Sequence, residues 1–187
     1  MKSIQTGTLL TTEITSLLEL QYVNMIENLS AKKASEQGFL TFRYDETFIS
    51  EMLTDMPQPV VRDGKLLIGY ALATSKRTAA LNPLTKTALD LCETLFVNEK
   101  ALKDMKYYIL GQICVKEVYR GKHIFDDLYE EHKRLFSNSY DCIVTEISQK
   151  NDRSLAVYKR VGFQIIHSYN DGKTDWNIVF WDWKARF

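Results

Sequence analysis

Cysteine, proline and histidine each occur only three times in 187 residues. The cysteines, Cys92, Cys114 and Cys142, are odd in number and far apart, which argues against a disulfide framework and fits reduced thiols in a cytoplasm. His123, His132 and His167 stand at no ligand spacing from the cysteines or from one another, so no metal site is expected. The closest approach of two prolines, Pro57 and Pro59, is too short a stretch to be a linker, and no repeat or low-complexity segment interrupts the chain. Net charge is missing as well. Lys plus Arg and Asp plus Glu both number 24, so no overall field draws the molecule to nucleic acid or anionic lipid, and an anionic ligand would need a local site. No apolar run approaches the length of a membrane span. Met1 to Leu10 carries one lysine and only short apolar pieces, too little for the core of a signal peptide. These absences lead us to expect a cytoplasmic protein without a nucleic-acid or membrane partner.

What is present is apolar. At 45% hydrophobic residues the chain can bury a sizeable core, and its length suits one domain over 1–187. Ile14, Leu17, Leu18, Tyr22, Ile26 and Leu29 recur at helical spacing behind Thr12, a candidate N-cap, and a polar stretch runs from Ser30 to Gln37. Phe39 to Met52 mixes aromatics with acids and predicts a short helix near its end. Asp63-Gly64 between two apolar runs predicts a β-hairpin. Helical periodicity returns over Leu84 to Val97, followed by an apolar strand over Tyr107 to Val115. A turn at Tyr119 to Lys122 then leads into a helix with Ile124, Phe125, Leu128, Tyr129, Leu135 and Phe136 on one face. Strands are predicted over Asp141 to Ser148, Phe163 to Tyr169 and Thr174 to Trp183, with a helix over Asn151 to Arg160 that ends at Gly162. Helices and strands interleave, which predicts an α/β domain around one mixed sheet.

The turn after the Tyr107 to Val115 strand places Arg120, Gly121, Lys122 and His123 at a helix start, where unpaired N–H groups and the helix dipole favour an anion such as phosphate. Gly121 would let the main chain approach a ligand, and Arg120 and Lys122 would add positive charge. A solvated basic turn is the plainer alternative.

A second block, Asn151-Asp-Arg-Ser154-Leu-Ala-Val-Tyr158-Lys-Arg-Val-Gly162-Phe163, resembles the pattern of the GNAT N-acetyltransferases. With Gln112 to Lys122 ahead of it, the resemblance covers roughly residues 107 to 170. It implies a central mixed, mostly antiparallel sheet flanked by helices, and acetyl-coenzyme A as cosubstrate. It also implies that the pantetheine arm lies along Ile113, Cys114 and Val115, that the pyrophosphate sits on the amides of Arg120, Gly121, Lys122, His123, Ile124 and Phe125, and that Asn151 and Tyr158 lie near the thiol. The family turn usually has small residues where His123 and Phe125 stand, and these side chains could narrow the phosphate site.

Each residue has a structural alternative: Asn151 as a helix cap, Tyr158 as a core aromatic, Cys114 as a buried thiol instead of a nucleophile. Glu146, on the strand before Asn151, is the candidate general base, acting through water, with a strand-end carboxylate as the alternative. Tyr158 is the candidate acid for the departing thiolate. The partner is then an amine acceptor, a small molecule or a peptide, and a homodimer stays open. An acyl-coenzyme A binding or sensing domain without turnover is the second reading. A nucleic-acid binder is disfavoured by the charge balance.

Overall fold

The longest apolar runs become the middle of a sheet. The computed structural model describes residues 4–183. Within them the chain forms β1 (Ile4–Thr8), α1 (Ile14–Tyr22), α2 (Ala31–Gln37), α3 (Glu46–Asp55), β2 (Pro59–Asp63) and β3 (Leu66–Thr74). It continues through α4 (Lys76–Ala79), α5 (Pro83–Cys92), β4 (Phe96–Val97), β5 (Lys100–Ala101) and β6 (Tyr107–Val115). The last elements are α6 (Ile124–Phe136), β7 (Cys142–Ser148), α7 (Asp152–Val161), β8 (Gln164–Asn170) and β9 (Asp175–Asp182). Seven strands make one sheet in the order β1-β2-β3-β6-β7-β9-β8, and β4 pairs with β5 alone. Every neighbouring pair in the large sheet is antiparallel except β6 with β7. The mixed, mostly antiparallel sheet is therefore as the resemblance implies.

Helices cover both faces. Ile124, Leu128 and Phe136 of α6 pack with Tyr158 of α7 over one face, against Ile68, Leu110, Ile143 and Val179. On the other face α1 and α3 bring Leu17, Leu20, Ile49 and Met52 to Tyr70 and Leu72, while α5 brings Leu89 and Cys92 to Ile109, Val144 and Ile178. Being covered on two sides, β3 and β6 are almost continuously buried, which is why they read as apolar runs without alternation. Each fully buried leucine or isoleucine contributes about 1.5–3 kcal/mol relative to exposure.

The first third differs most from the sequence expectation. The helix expected through Leu29 stops at Tyr22, because Asn24 Nδ2 donates back to Leu20 O at 2.8 Å and Leu40 N donates to Asn24 O at 2.9 Å. These bonds pull the chain into a bridge between Met25 and Leu40. Thr12 is not a cap: it lies in a 3₁₀ turn, Thr11–Glu13, and the Glu13 carboxylate accepts from Leu10 N at 2.8 Å. The polar stretch after Leu29 is helix α2, capped by Ser30, and Asp45 caps α3 by accepting from Phe48 N at 2.8 Å. In the hairpin Asp63 pairs with Leu66, so the loop is Gly64-Lys65, one residue later than expected. Strand β1, helix α4 and the β4–β5 hairpin were not foreseen.

Candidate functional site

Strands β6 and β7 pair only over Tyr107–Ile109 and Cys142–Val144, then part. The cause is one extra residue. Pairing with β3 steps from Leu72↔Gln112 to Ala73↔Leu110, leaving Gly111 as a bulge. Thr145 Oγ1, on β7, donates to Leu110 O at 2.7 Å where the strands separate. Glycine is required at the bulge, since a Cβ on Gly111 would meet the Tyr44 hydroxyl at 2.6 Å. Beyond it, Lys116 N donates to Ile68 O at 2.8 Å, and antiparallel alternation pairs the Cys114 main chain with Tyr70. Ile113 and Val115 therefore direct their peptide groups into the gap. Cys114, which lines the cavity between them, gives its amide to β3, and its thiol, pushed up to about 12 by burial, lies near Leu20 O.

A cavity of about 400 Å³ lies along this gap, walled by Ile113 and Val115, by the turn before α6, and by Ser154 and Val157 of α7, with Gly38 and Phe39 above. The turn has Gly121 at φ +75° and His123 at φ +63°. A left-handed histidine is strained by about 1–3 kcal/mol. The backbone thus keeps a shape suited to glycine even where glycine is replaced. The amides of Ile124, Phe125 and Asp126 precede the first intrahelical bond, from Asp127 N to His123 O, and so are the kind of free helix-start N–H groups that suit an anion. The His123 imidazole is 82% exposed, and Phe125 packs against Tyr129 and Tyr158, with centroids 5.0 and 5.6 Å apart.

Both cations expected at the phosphate turn also make contacts within the protein. Lys122 places its ammonium 5.2 Å from the Tyr119 ring centroid. Arg120 donates to Val115 O, to Gln37 O and Oε1, and to Asn24 Oδ1, tying the turn to α1 and α2. Positive charge in the wall comes from Arg120 together with Arg153 and Arg160 of α7, against the single carboxylate of Asp126. Arg160 pairs with that carboxylate at 2.6 Å. Burial alone would raise the Asp126 carboxyl, but Arg160 and His123 hold it below the ordinary carboxylate range.

Asn151 caps α7, its Oδ1 accepting from Ser154 N at 3.3 Å while Nδ2 donates to Phe39 O at 2.9 Å across the cavity roof. Tyr158 is 5% exposed and sits edge-on to Phe125, Tyr129 and Phe163. Burial pushes its hydroxyl up, so it stays protonated. Both residues thus have the structural roles that the sequence left as alternatives, close to the cavity walls.

Glu146 lies on β7 past the point of separation, on the sheet face opposite α6 and α7. Its carboxyl is raised by burial and by Asp171, and partly restrained by a hydrogen bond from the Tyr169 hydroxyl at 2.5 Å. Tyr44 shares this side, close to Phe42 with ring centroids 4.5 Å apart. Asp45 and Glu46, acids of the mixed stretch after Phe39, are the cap and first turn of α3. Sequence reasoning missed Gly111, Arg153, Arg160 and Tyr169. A glycine inside an apolar strand was the available signal for the bulge. Tyr169 had none, because it reaches Glu146 across β9, two strands away.

No protein-family model and no curated protein matches this chain by sequence. Solved structures match its shape. The ribosomal-protein-S18-alanine N-acetyltransferase of Escherichia coli superposes with a TM-score of 0.62 at 14% identity, covering 96% of this chain and 94% of that one. NAA60 of Arabidopsis thaliana in complex with acetyl-CoA gives 0.63 at 15% identity, over 96% and 99% of the two chains. Ard1 of Thermoplasma volcanium gives 0.65 at 12%, over 96% and 97%. With its splayed parallel pair, strand bulge and left-handed turn before α6, the chain has the GNAT N-acetyltransferase fold.

Proposed function

We propose that this protein transfers an acetyl group from acetyl-coenzyme A to an amine by direct attack with both substrates bound. The observation that supports it best is the gap between β6 and β7, where the peptide groups of Ile113 and Val115 face a cavity that runs to the helix start at residues 123–126. The arm of the cosubstrate pairs there as an added strand would, its pyrophosphate rests on the α6 amides, and a strand N–H polarises the thioester carbonyl. NAA60 is known with acetyl-CoA bound, and the NatC complex, also similar in shape, with a Gag peptide and CoA. Glu146 serves as base toward the amine. A base matters most for an alkyl amine, which costs about 4.6 kcal/mol to deprotonate at pH 7 from a pKa near 10.4, against about 1.4 for an α-amine near 8.

The test is a panel of polyamines, amino acids, aminoglycosides, lysine peptides and N-terminal peptides, with release of free thiol as readout. Turnover with one class supports the proposal. Tight acetyl-coenzyme A binding without thiol release from any amine would favour a sensing domain.

Gly121→Val should weaken acetyl-coenzyme A binding about tenfold or more in calorimetry with little change in far-UV circular dichroism. The open space around Gly121 shows that the penalty is conformational: a β-branched residue resists φ +75° and would flatten the turn. Unchanged affinity would remove the phosphate site from the turn.

Proton transfer from an ordinary phenol of pKa about 10 to a thiolate of about 8.5 is already uphill by about 2 kcal/mol, and burial of Tyr158 makes it steeper, so hydrogen-bond donation is the main contribution. Tyr158→Phe should lower kcat on the order of 10²-fold while leaving acetyl-coenzyme A affinity intact. A kcat within twofold of the parent would make Tyr158 a packed aromatic only.

A further inference from the structure

We propose that Tyr169 is a positioning residue for the base: its hydroxyl holds Oε2 of Glu146 and leaves Oε1 to take the proton of the acceptor amine. This rests on the acetyl-transfer reading above. Glu146 sits on β7 two residues past Val144, the last residue paired with β6, and so borders the gap in which the thioester carbonyl would lie. The Tyr169 hydroxyl, 2.5 Å from Oε2, is the one hydrogen-bond partner of this carboxylate among the described residues.

The rigidity of the arrangement comes from β8 and β9. Tyr169 pairs with Trp176 and His167 with Ile178, which in turn faces Glu146, so the tyrosine side chain spans β9 from a fixed register. His167 stacks on the Tyr169 ring at 6.4 Å, with planes 16° apart, and the ring is packed against the cluster that includes Cys92 of α5. A carboxylate on a flexible stem would otherwise spread over several rotamers, and fixing one oxygen removes that freedom before substrate arrives.

Among the described residues no cation is paired with Glu146. The groups near it are Tyr169 and His167 on β8, Asp171 in the turn after β8, Tyr44 ahead of α3, and Cys92 on α5. Burial raises the carboxyl, Asp171 adds to that, and Tyr169 opposes both by stabilising the ionised form. Loss of the hydroxyl should therefore move Glu146 further up.

The experiment compares Tyr169→Phe with the parent in two ways. Carbon-13 NMR of the Glu146 carboxyl in the ligand-free protein should show its titration displaced to higher pH. The acid limb of kcat/KM should move in the same direction, with kcat lower on the order of tenfold. Incorporation of 3-fluorotyrosine at 169, a more acidic donor that keeps the ring, should move the carboxyl titration the opposite way, and this arm stands even if the Phe variant folds poorly. An unchanged Glu146 titration in both variants would overturn the positioning role. If Glu146→Gln retains full activity while the titration shifts as described, the pairing is real but the base assignment fails, and with it the catalytic meaning of Tyr169.

Discussion

Glu146→Gln should lower kcat by about 10²- to 10⁴-fold with an alkyl amine acceptor, the range for loss of a positioned general base. The loss should be smaller with an α-amine, which is partly neutral near pH 8 without help. In the parent, kcat/KM should rise with pH through the Glu146 ionisation, at a value above the ordinary carboxylate range of about 4.3, because burial raises that group and only ionised Glu146 accepts a proton. The Gln variant should lack this limb. Stability should behave in the opposite sense. A carboxyl raised on folding makes stability fall as pH climbs from the unfolded value through the folded one, so the charged form is a cost above that window. Glutamine removes the cost while keeping an acceptor for Tyr169, and Tm at pH 7 should hold or rise. A variant with kcat within twofold of the parent and an unchanged pH profile would show that Glu146 is a buried strand residue only.

The largest stability effect should come from Arg120→Ala. One guanidinium there serves three segments: Val115 at the end of β6 through Nε at 3.0 Å, Gln37 at the end of α2 through Nη1 at 3.0 Å to Oε1, and Asn24 after α1 through Nη2. Truncation leaves these partly buried acceptors without a donor, a penalty of about 2–3 kcal/mol in sum. For a chain of this size that lowers Tm by roughly 5–10 °C. Arg120→Lys should recover only part, since a single ammonium cannot reproduce a planar fork directed at three partners. Differential scanning calorimetry decides it. An Arg120→Ala protein that melts with the parent, yet loses acetyl-coenzyme A affinity, would return Arg120 to the phosphate role suggested by its place in the turn.

Much of the second half of the fold was readable. Between Tyr107 and Trp183 each strand and helix shows its own periodicity with clear punctuation, as at Asn151 and Gly162, whose cap roles depend on local geometry alone. The first third was less so. The apolar spacing from Ile14 to Leu29 suggested one long helix, and the break after Tyr22 depends on Leu40 and Arg120, which lie far along the chain.

The same division holds for the site. By itself the sequence determined where the turn before α6 lies, since Arg120 to Phe125 follow an apolar strand and begin a helix, and helix starts expose amides whatever surrounds them. It also placed Glu146 on a strand and Asn151 and Tyr158 at the cap and in the body of the following helix. Tertiary structure alone decided what those side chains do, because their partners come from other elements. Arg120 became a tie to α1 and α2, Lys122 turned onto Tyr119, and Tyr44 imposed glycine at 111. Tyr169 met Glu146 only because β9 inserts between β7 and β8 in a fixed register, and such long-range pairing leaves no mark on local spacing.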